Sequence, residues 1–517
     1  MKRITNFLFS KSTLLYLALI LQASLLLITI IWFSNDAGYL YLAFQVLSAI
    51  AVFKIIIENI SPEYKISMII IILVFPIIGG AFYFLLFWKD KNNKDWKRFK
   101  RIEANRQQMD INGASSLKIQ GVMPNSIRKQ LDYIFKYSYA QAYSGNEVSY
   151  FPMGEQKFAR MLIELEKAER FIFIEYFIIV EGTMWNTILE ILVRKAALGV
   201  DVRVTYDDLG VRGLLPEDYN KKLEKLHIAS HVFNPLTTKL AVGVNSRDHR
   251  KICVIDGNVG FVGGINLADE YINAYQKHGQ WKDTAICIEG SAVWSLTTLF
   301  LSTWEFLAGN TEDYSKFAYV EREGKSAVKH QEKLEKSIVQ PYSDSPLDEE
   351  RVGETVYINL ITHAEKSVHI CTPYLIVGYE MQQTLCNAAK MGIDVRIITP
   401  FIGDKAYVQA TTRSFYKALI TAGVKIFEYT PGFIHAKSFV VDGNLATIGS
   451  INLDFRSFNL NFECGVWMYN HPAIADMEAD FKATEELSQE VELEVCLTYP
   501  IYYRISMAVL RFFSPLM

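Results

Sequence analysis

Two stretches of the chain carry the same reactive residue types at the same spacing. His249, Lys251 and Asp256 recur as His435, Lys437 and Asp442, and the downstream Asn266 recurs as Asn452. Both copies read H-x-K-x4-D-x6-G-[GS]-x-N. An imidazole can attack phosphorus or carry a proton. An ammonium or an amide can stabilise charge on non-bridging phosphate oxygens. The set therefore suits a phosphodiester, with one histidine attacking and the other protonating the departing alkoxide. A lone H-x-K is usually a solvated strand, whereas two copies with matching Asp, Gly and Asn are hard to explain structurally. No carboxylate cluster or His-x3-His spacing points to a metal, so the lysines are expected to do that work without a cofactor.

The elements that position these residues can be read from the same lines. On a strand, residues i and i+2 share a face, which aims His249 with Lys251 and His435 with Lys437. Asp256-Gly257-Asn258 and Asp442-Gly443-Asn444 are two-strand turn signals. The return strand then carries Asn266 and Asn452 back towards the His and Lys. We expect Asp256 and Asp442 to orient the motif from the turn.

The repeat extends upstream. Arg170–Ile179 matches Ser367–Ile376, both reading as buried strands, and Leu198–Val204 matches Met391–Ile397, where a glycine ends a helix and a β-branched strand begins. The domain plan expected is a first half over 102–311, a charged linker over 312–336 and a second half over 337–494. Net charge is -3, which argues against a nucleic-acid partner. The 6 cysteines form no C-x-x-C pair and read as small buried hydrophobes.

Residues 1–101 read as a membrane anchor. Leu14–Phe33 and Ile66–Trp88 are charge-free apolar runs, and Tyr39–Ile57 is apolar apart from Lys54. They predict membrane-spanning helices over about 13–34, 39–57 and 66–88. The first run is too long for a signal peptide and lacks a cleavage site. Basic residues flank both ends of the anchor, so either the middle segment does not cross or one basic end lies outside. Residues 495–517 mix aromatics and aliphatics with Arg504 and Arg511, as an amphipathic membrane-associated helix does.

The two motifs resemble the paired HKD motifs of the phospholipase D superfamily. Within it, Glu175-Tyr-Phe, Asn245-x-Arg247-x-His249-Arg-Lys251, Gly263-Gly-Ile-Asn266, Trp281-Lys-Asp283-Thr, Thr372-Pro-Tyr374, Ser450-Ile-Asn-Leu-Asp-Phe-Arg-Ser457 and Asn461-Phe-Glu463 are similar to bacterial cardiolipin synthases. One departure is Gly264, which stands where the second motif has Ser450.

The resemblance implies an α/β (α+β) fold. It would consist of two phospholipase D-like halves, each a mixed β-sheet flanked by helices, related by a pseudo-two-fold axis, with N-terminal transmembrane helices. It implies that His249 is the nucleophile and His435 the general acid. It further implies that Asp283 and Glu463 reach across to the opposite half, pairing His249 with Glu463 and His435 with Asp283. The expected reaction joins two phosphatidylglycerols into cardiolipin and glycerol through a phosphohistidine, in a multi-pass protein of the cell membrane. A phospholipase D-type hydrolase or a phosphatidylserine synthase would use the same residues. A membrane nuclease fits the net charge poorly, and an inactive scaffold fits two intact motifs poorly.

Overall fold

The computed structural model describes residues 37–58, 60–75, 79–83, 94–113, 123–234, 246–320, 331–348 and 350–516. The expected span over 13–34 lies outside them. The chain forms two compact units, one made chiefly of residues 1–90 and the other of residues 91–515.

The N-terminal unit contains helices Ala37–Ile57, Pro62–Val74 and Gly79–Phe82. The second begins with Ser61, whose hydroxyl accepts from the Tyr64 N–H at 3.4 Å, and has proline in the first helical position. Ala51, Ile55, Met68, Ile72 and Tyr83 form its small core. Within the expected span over 66–88 one helix stops at Val74 and another begins at Gly79, while 76–78 and 84–88 lie outside the described residues. Phe75 leaves the helical region (φ -124°, ψ 66°), and the sequence places Pro76 next, which disfavours helix in the residue before it. Among the described residues no helix is long and apolar enough to cross a membrane.

The larger unit contains two mixed sheets. The 7-stranded sheet runs Glu147–Phe151, Ala285–Glu289, Val259–Gly263, Lys251–Ile255, Phe171–Tyr176, Asp201–Asp207, Ala229–Phe233. The 9-stranded sheet repeats that plan with Ile338–Asp344, Asn461–Tyr469, Leu445–Gly449, Ser438–Val441, Ser367–Cys371, Asp394–Pro400 and Lys425–Tyr429. Ser488–Glu490 extends its far edge, and Arg247–Asp248, borrowed from the first half, pairs with Asn461–Phe462. Parallel pairs between Phe171–Tyr176 and Asp201–Asp207, and between their counterparts, explain the near-continuous apolar runs seen in sequence. Helices such as Thr183–Ala197 and Tyr379–Lys390 cover these strands. A shared core, including Phe173, Val254 and Val262 from one half and Val440, Ile448 and Val466 from the other, joins the two sheets.

The structure divides the chain differently from the expected boundaries. Helix Asn125–Ser138 precedes the first sheet in sequence but packs Ile127, Leu131 and Ile134 into the second half. There Gln340 donates to the Leu131 and Ala140 carbonyls at 3.3 and 2.8 Å. The start of the expected linker is not a free connector either. Phe317 sits edge-on to Phe171 at 5.1 Å, and Arg170 donates to the Lys316 carbonyl at 2.7 Å.

The turn aspartates show what the repeat demands of its backbone. Asp256 and Gly257 both have positive φ (54° and 70°), as do Asp442 and Gly443 (53° and 69°), the geometry of a tight hairpin turn. Each carboxylate then accepts three backbone N–H groups at the start of the neighbouring strand. Glu169, Arg170 and Phe171 donate to Asp256 at 3.0, 2.7 and 3.0 Å. Glu365, Lys366 and Ser367 donate to Asp442 at 2.8, 2.8 and 2.9 Å. Replacing Asp256 with alanine leaves all three N–H donors without their acceptor, and we expect a stability loss of about 3 kcal/mol. Urea denaturation of the two proteins measures it; an unchanged midpoint would show that the turn does not depend on the carboxylate.

Candidate active site

His249 and His435 each follow a short strand that pairs with a strand of the opposite half. Arg247–Asp248 runs parallel to Asn461–Phe462, and Gly432–Ile434 runs parallel to Gln280–Lys282. The His249 N–H donates to the Phe462 carbonyl at 2.9 Å, and the His435 N–H to the Lys282 carbonyl at 2.6 Å. The residues that follow those carbonyls are Glu463 and Asp283. Backbone pairing thus delivers each imidazole to an acid of the other half.

His249 Nδ1 lies 2.9 and 3.0 Å from the two Glu463 carboxylate oxygens, and His435 Nδ1 lies 2.7 Å from Asp283 Oδ2. These are the partners that the resemblance implies. With Nδ1 donating to a carboxylate, each ring keeps Nε2 for chemistry. Lys251 and Lys437 both fold back onto the carbonyl of their own histidine. The edge of Phe177 packs on His249 at 5.1 Å and that of Tyr271 on His435 at 5.6 Å.

The two acids are held by different means. Ser450 donates its hydroxyl to Glu463 Oε2 at 2.5 Å, and Asn461 donates to Oε1 at 3.1 Å. Gly264, at the position of Ser450, leaves no room for a side chain, since a Cβ there would lie 2.2 Å from Asp283 Oδ1. Asp283 instead accepts from the Thr284 N–H at 2.8 Å.

Burial alone would raise Glu463, but His249, Lys251 and Ser450 outweigh it and hold the carboxyl below its ordinary value. Burial pushes Asp283 up to about 7 despite Lys437 and Lys251 nearby. Burial also lowers both imidazoles: Glu463 partly offsets it at His249, while Lys437 and Lys251 add to it at His435. The ammonium of Lys251 falls to about 8 and that of Lys437 to about 7, again through burial.

Not every residue singled out from sequence faces the histidines. Asp256 and Asp442 sit at the far ends of the motif strands, seven residues or roughly 23 Å of extended chain from the histidines. Asn266 is engaged in the protein itself, accepting from the Ile178 N–H at 3.1 Å and donating to the Tyr271 hydroxyl at 2.7 Å. Asn452 keeps a buried side-chain oxygen without a protein partner. The aromatic residues near the motifs, Phe433, Phe455, Phe458 and Phe462, are buried. Phe458 packs on Tyr357, and Phe462 packs on Phe99 and Phe233.

Sequence reasoning missed Lys157, a buried lysine whose ammonium donates to the Tyr176 hydroxyl at 2.9 Å. It lies within electrostatic range of Asp283, and Tyr176 is the cross-strand neighbour of Lys251. Nothing in its helical segment, far from both motifs, signals this. Arg250 was quoted only as part of a motif. It is fully enclosed and binds Asp248 at 2.8 Å, Glu175 at 2.8 Å and Thr303 at 2.9 Å. Among the described residues no group of His, Cys, Asp and Glu is arranged to hold a metal ion.

Two pseudo-symmetric halves that exchange motif strands around paired histidines define a phospholipase D-like protein. The family model described as cardiolipin synthase, PLD-like domain, matches residues 161–291 and 357–484, and a phospholipase D-nuclease N-terminal model matches 46–86. The chain is 33% identical to a cardiolipin synthase of Geobacillus kaustophilus over 474 residues, 89% of this chain and 90% of that one. An uncharacterized protein of Streptococcus mutans is 41% identical over 87% of this chain and 96% of its own length. In fold, the chain resembles the crystal structure of a phosphatidylserine synthase from Haemophilus influenzae. The TM-score is 0.57 at 14% identity, covering 76% of this chain and 100% of that one. The chain belongs to the cardiolipin synthase family of phospholipase D-like proteins.

The depressed Lys437 ammonium has a stability consequence with a definite sign. An unfolded lysine holds its proton to about pH 10.4, whereas folded Lys437 releases it near 7. The unfolded state therefore binds more protons across that window, and the contribution of Lys437 to stability rises with pH. Lys437→Met should gain stability over the parent chain below pH 7 and lose that gain as pH approaches 10. Urea midpoints of the substrate-free proteins at pH 6, 8 and 10 read this directly. A difference independent of pH would contradict the depressed ammonium.

Proposed function

We propose that the chain is a phosphatidyltransferase that makes cardiolipin and glycerol from two molecules of phosphatidylglycerol. The observation that carries this reading is the pair of imidazoles, each on an acid of the opposite half, with a buried lysine beside each. The names of the curated relatives supply the substrate class. In the first step His249 Nε2 attacks the donor phosphorus. The bond from phosphorus to the glycerol oxygen breaks, and His435 gives that oxygen its proton. In the second step the terminal hydroxyl of another phosphatidylglycerol passes its proton to His435 and attacks phosphorus. The phosphorus–nitrogen bond breaks, its electron pair returns to His249, and cardiolipin leaves.

The choice of His249 as nucleophile follows the family resemblance and is supported by its partner. An ionised Glu463, fixed by Ser450 and Asn461, holds the tautomer and makes Nε2 electron-rich. Lys251 and Lys437 stabilise charge on the non-bridging oxygens, with the Asn452 amide beside them. A bound phosphodiester anion compensates the charge that burial penalises, so the imidazoles and lysines hold protons more readily with substrate than without it.

We infer that the protein works at a bilayer, with residues 1–101 as a multi-pass anchor in the cell membrane. The C-terminal segment supports this reading. Helix Ile501–Phe513 docks through Met507 and Arg511, which donates to the Ser414 carbonyl at 3.0 Å and to Gln382 at 2.7 Å. It leaves Ile501, Tyr502, Ile505 and Val509 exposed. A lipid-facing cleft would favour a second lipid over water as acceptor, since exclusion of water and a high local concentration of acceptor act together.

Purified full-length protein given phosphatidylglycerol and a chelator should release cardiolipin and glycerol in equal amounts. His249→Ala and His435→Ala should abolish both products. Phosphatidic acid in place of cardiolipin would make the chain a hydrolase. Glu463→Gln keeps the size of the side chain but loses the charge, and should lower kcat by roughly 10³–10⁴ with little change in substrate affinity. A loss below tenfold would remove Glu463 from the mechanism.

A further inference from the structure

We propose that Arg456 and Arg247 form a second anion subsite at the rim of the cleft, which binds the headgroup phosphate of the acceptor lipid. The proposal rests on the phosphatidyltransferase reading and deepens it. In an acceptor phosphatidylglycerol, three carbons separate the attacking oxygen from the lipid's own phosphate. When that oxygen bonds to the phosphorus on His249 and displaces the imidazole, its proton passing to His435, a second phosphodiester monoanion stands just outside the reacting centre. The motif lysines serve the first phosphate, so the second needs its own cation.

Arg456 has the properties of such a cation. It lies on the short helix Phe455–Asn459, four residues after Asn452, and is half-buried; its guanidinium makes no side-chain hydrogen bond or close ion pair among the described residues, and the Asp454 carboxylate acts on it only through space. The neighbouring Asp454 carboxylate is partly committed, accepting the Ser457 N–H at 2.7 Å. Burial lowers the Arg456 pKa and Asp454 opposes it, while Arg247, two residues before His249, lies within electrostatic range and adds to the lowering. Arg247 is itself anchored, donating to the Asn234 carbonyl at 3.0 Å, with Asp207 at 3.5 Å. Asp207 is shared with the N–H groups of Leu209, Gly210 and Asp248 at 2.8, 3.2 and 3.0 Å. Two guanidiniums within electrostatic range of each other are stabilised by an anion that neutralises both, and a phosphate supplies the oxygens that arginines bind well.

The pseudo-symmetry supplies an internal comparison. The repeat aligns Arg247 with Phe433 and Arg456 with Glu270. Glu270 is occupied by Lys277 at 2.9 Å and Tyr275 at 3.1 Å, and Phe433 packs on Trp281 at 4.8 Å. The cationic pair therefore occurs on one side only, as a reaction with a single anionic acceptor requires. The same half of the cleft offers a second group. Asp404 accepts the Tyr374 hydroxyl at 2.9 Å through one oxygen, while its other oxygen is buried without a partner. Tyr374 and Asp404 lie within electrostatic range of Tyr271, which packs on His435. A glycerol hydroxyl is the complement of that carboxylate oxygen.

The test separates the acceptor step from everything before it. Full-length parent, Arg456→Gln and Arg456→Lys are given phosphatidylglycerol in phosphatidylcholine vesicles, and two products are followed. Cardiolipin reports transfer to the anionic acceptor; entry of labelled glycerol into phosphatidylglycerol reports transfer from the same intermediate to a neutral one. Arg456→Gln should lower cardiolipin formation at least tenfold more than glycerol exchange, with a raised phosphatidylglycerol requirement, and Arg456→Lys should restore part of it. Equal losses in both products, or no loss in either, would overturn the subsite. A parent chain that exchanges glycerol but makes no cardiolipin would instead overturn the reading that phosphatidylglycerol is the acceptor, whatever the variants do.

Discussion

The geometry of the cleft depends on two short parallel strand pairings that cross between the halves. In each, a histidine N–H is bonded to the carbonyl of the residue preceding an acid of the opposite half. Backbone hydrogen bonds of this kind fix position far better than long side chains can, because ring and carboxylate are then separated only by short, buried rotors. Neither half contains a complete imidazole–carboxylate pair by itself. The site therefore exists only when both sheets are folded and their shared core is closed. The glycines of the motif follow from this requirement. Gly263 and Gly449 pass so close to the acid-bearing strand that a Cβ would meet the Thr284 and Cys464 carbonyls at 2.4 and 2.2 Å.

The proposed two-step transfer requires a two-fold scaffold to break its symmetry, because one histidine would attack while the other moves a proton. The break is visible at the acids. Glu463 has two neutral donors and stays below its ordinary pKa; Asp283, beside Gly264, lacks the hydroxyl and is pushed up. Lys157 adds a charge on the Asp283 side that the second half does not reproduce. The same scaffold thus holds one acid by hydrogen bonds and the other largely by electrostatics. His249 and Lys251, with the Ser450 hydroxyl, outweigh burial at Glu463, whereas burial prevails at Asp283 despite three lysines nearby.

Much of this was legible in the sequence because the motif residues obey local rules. Strand alternation put His and Lys on one face, and Asp-Gly at a positive-φ turn fixed the hairpin. The repeat counted the halves. Other parts depend on contacts that local rules do not reach. Helix Asn125–Ser138 belongs to the second core although it precedes the first sheet, since its apolar stripe specifies burial but not the partner. An apolar run is likewise silent about where a helix stops inside it, which is why 66–88 reads as one segment while the helix ends at Val74. The aromatic residues near the motifs are likewise core, and Phe458 and Phe462 pack against Tyr357 and Phe99.

The buried lysines link the stability of the cleft to its use. An enclosed ammonium without a counter-anion is unfavourable, and Lys251, Lys437 and Lys157 all have lowered pKa values in the substrate-free protein. The cost is accepted by a fold whose two sheets bury a large common core, and it is relieved when a phosphodiester brings negative charge between the halves. Binding then restores protons to groups that burial had pushed towards neutrality, and the charged form of the site is strongest where the reacting phosphate lies. An empty cleft with weakened cations holds water and stray anions less firmly than one with fully charged lysines would. A lipid phosphate that arrives with its own apolar surroundings is thereby favoured over a free solute, from the same desolvation that makes the empty site unstable.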